Sequence, residues 1–173
     1  MPLVDVTRTY LELPSIDALN SSAEPPVGEE LVALRPCSVE DARRLYVAVG
    51  ERYHWRDRLV QPDDELQAYL NGGDVRVFVA RSAGRDDGYF ELKRHEDGSV
   101  EIAYFGLIDH AQGRGVGRWL LVQAAQHAFA WGASRVWLHT CTLDAPAALP
   151  NYLARGFRPF REERYQAELP SGA

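Results

Sequence analysis

The densest glycine run of the chain is QGRGVG, residues 112–117. Its three glycines leave the backbone amides with little side-chain cover and permit positive φ angles, so another molecule can approach the amides closely. A helical pattern follows the run, and the N-terminus of a helix favours an anion because of its dipole and its unpaired N–H groups. The run therefore predicts either an anion-binding loop or an ordinary tight turn.

Two familiar phosphate motifs do not fit this run. The spacing Gly113-x-Gly115-x-Gly117 lacks the wider final gap of a dinucleotide-binding fingerprint, and it follows a hairpin strand instead of opening a βαβ unit. The run also lacks the Lys-Ser/Thr pair of a P-loop. What remains is a loop whose successive amides lie at the start of a helix.

The elements around this run follow from hydrophobic periodicity and turn signals. The pair Asp97-Gly98 predicts a hairpin between strands at 89–95 and 100–108, which should be antiparallel neighbours. A helix is predicted from Val116 to Trp131, closed by Gly132. Further strands are predicted at 31–36, 75–81 and 135–141, helices after Ser38, near Pro62 and over 144–155, and an extended segment over 157–169.

The first 30 residues look like an appendage. A strand-like segment at 3–13 is followed by residues 14–30, which are rich in proline, serine and acid. We therefore expect an N-terminal arm and linker over 1–30 and a single folded domain over 31–173. Within the last predicted helix, Pro150 should introduce a kink or delay the helix start.

Composition limits the class of protein. At 173 residues and 46% apolar residues, one domain with a sizeable core is expected. A net charge of −6 argues against a general nucleic-acid binder. Cys37 and Cys141 lack metal-type spacing, so we expect no metal site, no disulfide framework and a reducing cytoplasm. Neither a signal peptide nor an apolar run long enough to span a membrane is indicated.

Two motifs together resemble the GNAT N-acetyltransferase superfamily. The pattern Gln112-x-x-Gly115-x-Gly117 resembles its acyl-CoA pyrophosphate loop, and NYLARGF, with Tyr152 and Gly156, resembles its closing signature. The resemblance covers roughly residues 31–165. It implies an α/β fold with a mixed, mostly antiparallel central sheet flanked by helices, in which a splayed strand pair holds the acyl-CoA. The family usually has an asparagine some residues before that tyrosine. This sequence has no clean match for it, because Asp144 is offset by one residue from the expected position.

The resemblance implies acetyl-CoA as cosubstrate. Anchoring its pyrophosphate on the glycine loop would fix the position of the thioester at its far end. The backbone of the strand before the loop would hold the pantetheine arm, so that side-chain identity matters little there. The implied cofactor-binding residues are Phe105, Gly106, Leu107, Ile108, Gln112, Gly113, Arg114, Gly115, Val116, Gly117 and Arg118.

Catalysis by such a family needs a neutral amine and a protonated leaving thiol. Glu101, eleven residues before Gln112, matches the spacing of the glutamate base in histone-type members, and Glu91 or a water chain is the alternative. His139 is a further candidate for proton relay or substrate contact. Tyr152 matches the tyrosine that protonates the thiolate. The competing interpretations are a solvated charge for Glu101 and plain core packing for Tyr152.

The acceptor is expected to be a primary amine of a small molecule or peptide. In the resembled fold, the loop between the first two helices lines the acceptor side of the site. In this sequence that loop contains Tyr53 and Trp55. Aromatic rings there would bind an alkylammonium by cation–π contacts, whereas the arginines at 56 and 58 would bind a carboxylate or phosphate of the substrate. Glu91 and His139 complete the predicted acceptor site. The alternative function is a catalytically inactive module that binds acyl-CoA as a sensor or mediates assembly. The sequence is also compatible with a homodimer.

Overall fold

The computed structural model describes residues 1–170 and contains a seven-stranded sheet. The strands are β1 (Leu3–Leu13), β2 (Glu29–Leu34), β3 (Val75–Ser82), β4 (Arg85–Arg94), β5 (Val100–Leu107), β6 (Val136–Cys141) and β7 (Arg158–Glu168). The helices are α1 (Val39–Gly50), α2 (Asp63–Asn71), α3 (Val116–Ala130) and α4 (Ala148–Ala154). Short 3-10 turns occupy Ile16–Ala18, Glu51–Tyr53, Asp57–Leu59 and Asp109–Ala111.

The sheet is mixed and mostly antiparallel, which confirms the predicted fold class. The spatial order is β2-β3-β4-β5-β6-β1-β7, and β5 with β6 is the parallel pair. The hairpin predicted from Asp97-Gly98 is confirmed, because Arg94 pairs with Val100 on either side of that turn. The predicted helix from Val116 is confirmed as well and ends at Ala130.

Helices cover both faces of the sheet. In β3, Val77 and Val79 belong to a core under α1 and α2, whereas Phe78 and Ala80 belong to the core under α3. This alternation follows from the two-residue period of a strand and gives the sheet two buried faces. Trp119 and other buried side chains of α3 pack against the sheet.

The N-terminal segment corrects our domain boundary. Residues 3–13 do not form an arm outside the domain, because β1 lies inside the sheet, antiparallel to β6 on one side and to β7 on the other. Leu11 and Leu13 are fully buried in the α3-side core. The segment that follows is also attached, since the Asn20 N–H donates to the Arg155 carbonyl at 2.8 Å. Residues 171–173 of the expected domain lie outside the described residues.

The last helix begins later than its sequence pattern suggested. Residues 144–147 precede α4, and Pro150 lies in its first turn, where a missing N–H leaves no helical hydrogen bond unmade. The expected delay of the helix start is therefore confirmed. Among the helices of residues 1–170, none combines the length and the apolar character that a membrane crossing requires.

Candidate active site

The two central parallel strands separate soon after they meet. β5 and β6 pair only at Val100 with Val136 and at Glu101 with Trp137. Just beyond that point the β4 register shifts, so that Glu91 faces Tyr104 while Leu92 faces Ile102, and β5 carries a bulge between these pairs. A bulge bends its strand and is frequent next to active sites. The gap between the strands opens into a cavity.

This cavity has a volume of about 1320 Å³. Its walls come from β5, β6, the loop between α1 and α2, the glycine loop and α4. Such a volume exceeds the roughly 300–1,000 Å³ of a typical small-ligand pocket. The cavity can therefore hold a long ligand together with a second molecule.

The glycine loop forms one end of the cavity. Gly113 and Gly115 have φ angles of 80° and 81°, a conformation that side chains with a Cβ rarely adopt. Both line the cavity, and α3 begins immediately afterwards at Val116. A Cβ on Gly115 would lie 3.4 Å from the Arg118 guanidinium, which lines the same end. The loop thus presents backbone amides and one cation at the N-terminus of a 15-residue helix.

Three of the residues predicted to bind the cosubstrate have side chains that do not line the cavity. Arg114, expected as a side-chain anchor, lies outside the cavity with Nη2 3.1 Å from Glu29 Oε1 and 3.5 Å from Asp87 Oδ2. Val116 is fully buried in the core. Ile108 packs toward α1 and α2, and its N–H donates to the Asp87 carbonyl at 2.9 Å. The prediction for Ile108 and Val116 concerned their backbone groups and stays a prediction, whereas the Arg114 side chain is engaged by two carboxyl groups.

Two buried carboxyl groups lie behind the loop. Asp87 accepts hydrogen bonds from Ser82 and lies 2.7 Å from His110 Nε2. Burial, together with the neighbouring Asp87, raises the pKa of Glu29 to about 7. Arg114 reaches both groups from the loop, so the glycine-rich segment is tied to β2 and β4 through its one charged side chain.

Tyr152 lies in the wall formed by α4. Its ring packs edge-on against Phe105 and Phe157, with centroids 6.1 Å away in each case. Burial, with a smaller contribution from Asp144, raises the pKa of Tyr152, so its hydroxyl stays protonated at neutral pH. The residue lines the cavity although only 6% of its surface is exposed. Both the packing role and the proton-donor role are compatible with this position.

Glu101 lies where β5 and β6 separate. It pairs with Trp137 in the last step of the parallel ladder, and its side chain lines the cavity. Oε1 lies 3.0 Å from His95 Nε2, and the His95 ring packs on Trp137 with centroids 5.3 Å apart. With 15% of its side chain exposed, Glu101 is not a freely solvated hairpin charge.

Glu91, the alternative base and predicted substrate contact, does not reach the cavity. Its side chain is fully buried, and its two carboxylate oxygens accept from Arg58 at 2.6 and 3.0 Å. The Tyr69 hydroxyl also donates to Oε2 at 2.8 Å. The sequence could not reveal this arrangement, because Arg58 and Tyr69 lie on other elements. Glu91 therefore holds the α1–α2 loop against the sheet.

His139 lines the cavity from β6. Loss of hydration, with the charge of Arg8, lowers the pKa of His139, so its imidazole is neutral at pH 7. Its ring lies 5.4 Å from the Tyr10 ring of β1. Arg8 of the same strand lines the cavity too, and the sequence analysis missed it because β1 was expected outside the domain.

The loop between α1 and α2 forms another wall of the cavity and contacts the glycine loop. Tyr53 accepts a hydrogen bond from Gln112 Nε2 at 3.1 Å, which joins this loop to the glycine loop. The Trp55 indole N–H reaches Asp144 Oδ1 at 3.4 Å. Tyr53 and Trp55 both line the cavity. Within residues 1–170 no group of three His, Cys, Asp or Glu side chains is arranged to hold a metal ion.

Comparison with known proteins gives consistent matches. A model described as the acetyltransferase (GNAT) family matches residues 39–157. A mycothiol acetyltransferase of Jonesia denitrificans is 29% identical over 176 residues, which cover 95% of this chain and 55% of that protein. A GCN5-related N-acetyltransferase from Kribbella flavida superposes with a TM-score of 0.66 at 22% identity, covering 98% of this chain and 61% of the other.

A second solved structure, the GCN5-related N-acetyltransferase from Sphaerobacter thermophilus, has a TM-score of 0.68 at 17% identity. It matches 100% of this chain and 54% of its own length. The chain thus spans little more than half the length of these relatives. The two structural matches show that the fold is shared.

Proposed function

The chain belongs to the acetyltransferase (GNAT) family, and on this premise we propose that it moves an acetyl group from acetyl-CoA to a primary amine by direct attack in a ternary complex. The acceptor is a small molecule or peptide. The observation that carries the proposal is the separation of β5 from β6, which opens a cavity lined by both the glycine loop and the α1–α2 loop. A site of this volume can then receive both reactants.

The glycine loop fits the anionic end of the cosubstrate. Its amides lie at the start of α3, and the absence of a Cβ at Gly115 leaves the approach open. Of the two arginines predicted to bind the cosubstrate, Arg118 lines the cavity and is our candidate for the side-chain cation, whereas Arg114 is paired with Glu29 and Asp87. The β5 backbone over 105–107 pairs with β4 on one side but lacks a strand partner on the β6 side, so the polar groups that face β6 can bind the pantetheine arm.

Acetyl-CoA supplies an activated thioester and a thiol leaving group. Glu101 is our candidate to take a proton from the acceptor ammonium, directly or through water, because a protonated amine cannot attack. Tyr152 is our candidate to give a proton to the departing sulfur, because its hydroxyl stays protonated in the cavity wall. His139, neutral at pH 7, can accept or pass on a proton between these groups.

The test combines binding and turnover. In calorimetry, acetyl-CoA and CoA should bind tightly, whereas ATP should not. A thiol-release assay with a panel of amines should then identify an acceptor, and the panel includes mycothiol-related amines because one relative is a mycothiol acetyltransferase. Binding with no acceptor at all would favour the idle acyl-CoA-binding module. No affinity for CoA would refute the proposal.

A further inference from the structure

Asp57 presents a carboxylate to the acceptor end of the cavity. The residue is exposed and lines the cavity wall, between α1 and α2. The Tyr46 hydroxyl donates to Oδ1, and the Tyr104 hydroxyl donates to Oδ2 at 2.6 Å. Loss of hydration opposes ionisation, but these two hydrogen bonds prevail and the pKa of Asp57 is lowered. The carboxylate is therefore ionised and fixed in orientation.

This charge lacks an ion-pair partner among the described residues. The adjacent Arg58 lies close enough to contribute to the electrostatics, but both its terminal nitrogens bind Glu91. Arg58 and Glu91 neutralise each other in the interior. Asp57 thus places a negative charge at the cavity wall. Two neutral hydroxyl groups orient this carboxylate but do not neutralise its charge.

Aromatic rings surround the same position. The ring centroids of Trp55, Tyr104 and Tyr46 lie 5.5–5.6 Å from one another. Trp55 and Tyr104 line the cavity, whereas Tyr46 is buried behind them. Arg58 already lies over the Tyr104 ring, with its guanidinium carbon 4.4 Å from the centroid, so Trp55 is the cavity-lining ring left to attract a further cation. Such an attraction adds to that of a nearby carboxylate.

We propose that the acceptor carries a second cationic amine, which Asp57 binds beside the ring of Trp55 while the first amine reacts. The inference rests on the proposed function and narrows its substrate class to diamines and related polycationic amines. It selects the alkylammonium alternative over a carboxylate or phosphate, because Arg58 is already paired. Arg56 remains exposed at the cavity and provides the competing hypothesis.

The test measures binding first, so that it does not depend on turnover. Calorimetry on the protein saturated with CoA compares α,ω-diaminoalkanes of three to six carbons with amino alcohols and amino acids of matched length. We expect a diamine to bind at least about tenfold more tightly than its amino alcohol, a gain within the range of a charge-assisted contact with cation–π support. The difference should shrink at high ionic strength.

Two variants locate the effect. Asp57→Asn should reduce the diamine affinity to that of the amino alcohol and leave the amino alcohol affinity within about twofold. Asp64→Asn makes the same charge change on exposed α2 outside the cavity and should change neither. If Asp57→Asn fails to fold, the preference of the wild-type protein and its salt dependence still decide the matter.

The outcomes are distinct. Equal affinity for diamine and amino alcohol in the wild-type protein, equal losses for both in Asp57→Asn, or tighter binding of the amino acid would each overturn the inference. The last result would transfer the recognition to Arg56. Selective diamine binding without any acetylation would instead refute the proposed transferase activity while supporting the Asp57 site.

Discussion

Arg58 and Glu91 form a bidentate ion pair inside the protein, with Nη1 2.6 Å from Oε1 and Nη2 3.0 Å from Oε2. Both side chains are nearly inaccessible, at 4% and 1%. The pair connects the α1–α2 loop, which carries the aromatic residues of the acceptor end, to the centre of the sheet. Removing one member of such a pair leaves an uncompensated buried charge.

The first prediction follows from this pair. Glu91→Gln should lower the free energy of unfolding by about 3–5 kcal/mol, because Arg58 would remain buried without a counter-charge. Urea denaturation measures the loss. The same substitution at Glu101, which is partly exposed and bound to a histidine, should cost less than about 1 kcal/mol. A stable Glu91→Gln protein whose turnover is lost at neutral pH would instead identify Glu91 as the base.

The second prediction concerns the glycine loop. Gly115→Val should weaken acetyl-CoA binding at least a hundredfold in calorimetry, because the added side chain covers the amides at the start of α3. Gly73→Val is the matched control, since Gly73 has a φ of 84° but lies after α2 outside the cavity. Both variants carry the same backbone strain. Equal affinities in the two folded variants would show that the loop does not hold the cosubstrate.

The third prediction concerns Glu101. Glu101→Gln keeps the size and hydrogen bonding of the side chain but removes its basicity, so kcat should fall by roughly 10²- to 10⁴-fold. The loss should diminish as the pH rises, because more of the acceptor is already neutral. Acetyl-CoA affinity should hardly change. A loss that is the same at every pH would assign Glu101 a structural role with His95.

Local patterns in the sequence were sufficient for much of this architecture. The hairpin at Asp97-Gly98, the glycine loop before α3 and the position of Tyr152 each depend on neighbouring residues. The placement of β1 does not, because its partners β6 and β7 come at the other end of the chain and no local signal identifies them. For this reason the sequence pattern predicted β1 to lie outside the domain, although it lies inside the sheet.

The environments of Asp57 and Glu91 were not visible in the sequence for the same physical reason. Asp57 looks like an ordinary loop acid, and only the fold brings the hydroxyls of Tyr46 from α1 and Tyr104 from β5 to its carboxylate. Glu91 looks like a candidate base, and only the fold buries it against Arg58. Charge type is visible in a sequence, but burial and pairing across elements are not.

The fourth prediction concerns the carboxyl group of Glu29 behind the loop. Burial and Asp87 raise its pKa from 4.5 to about 7, so the folded protein keeps a proton that the unfolded chain releases. The free energy of unfolding should then decrease as pH rises from about 4.5 to 7, by at most about 1.4 kcal/mol per pH unit from this group.

Glu29→Gln imitates the protonated form and should remove this part of the pH dependence, leaving the variant more stable than wild type at pH 8. Glu30→Gln, an exposed neighbour on β2, is the control and should follow the wild-type curve. Chemical denaturation at several pH values provides the comparison. Parallel curves for wild type and Glu29→Gln would mean that Glu29 is ionised in the folded protein.

The last prediction concerns Tyr152, which shares the cavity wall with Asp144 and packs edge-on against Phe105. Tyr152→Phe retains the ring and deletes only the hydroxyl, so it separates proton donation from packing without opening a cavity. If the hydroxyl protonates the departing thiolate, the variant should bind acetyl-CoA nearly as well as wild type and turn over at least about tenfold more slowly, about 1.4 kcal/mol of barrier. The defect should shrink with an acyl donor whose thiol is more acidic, because a better leaving group needs less help from a proton. Wild-type turnover in Tyr152→Phe, measured where chemistry limits the rate, would reduce Tyr152 to a packing residue and leave the sulfur to depart as a thiolate.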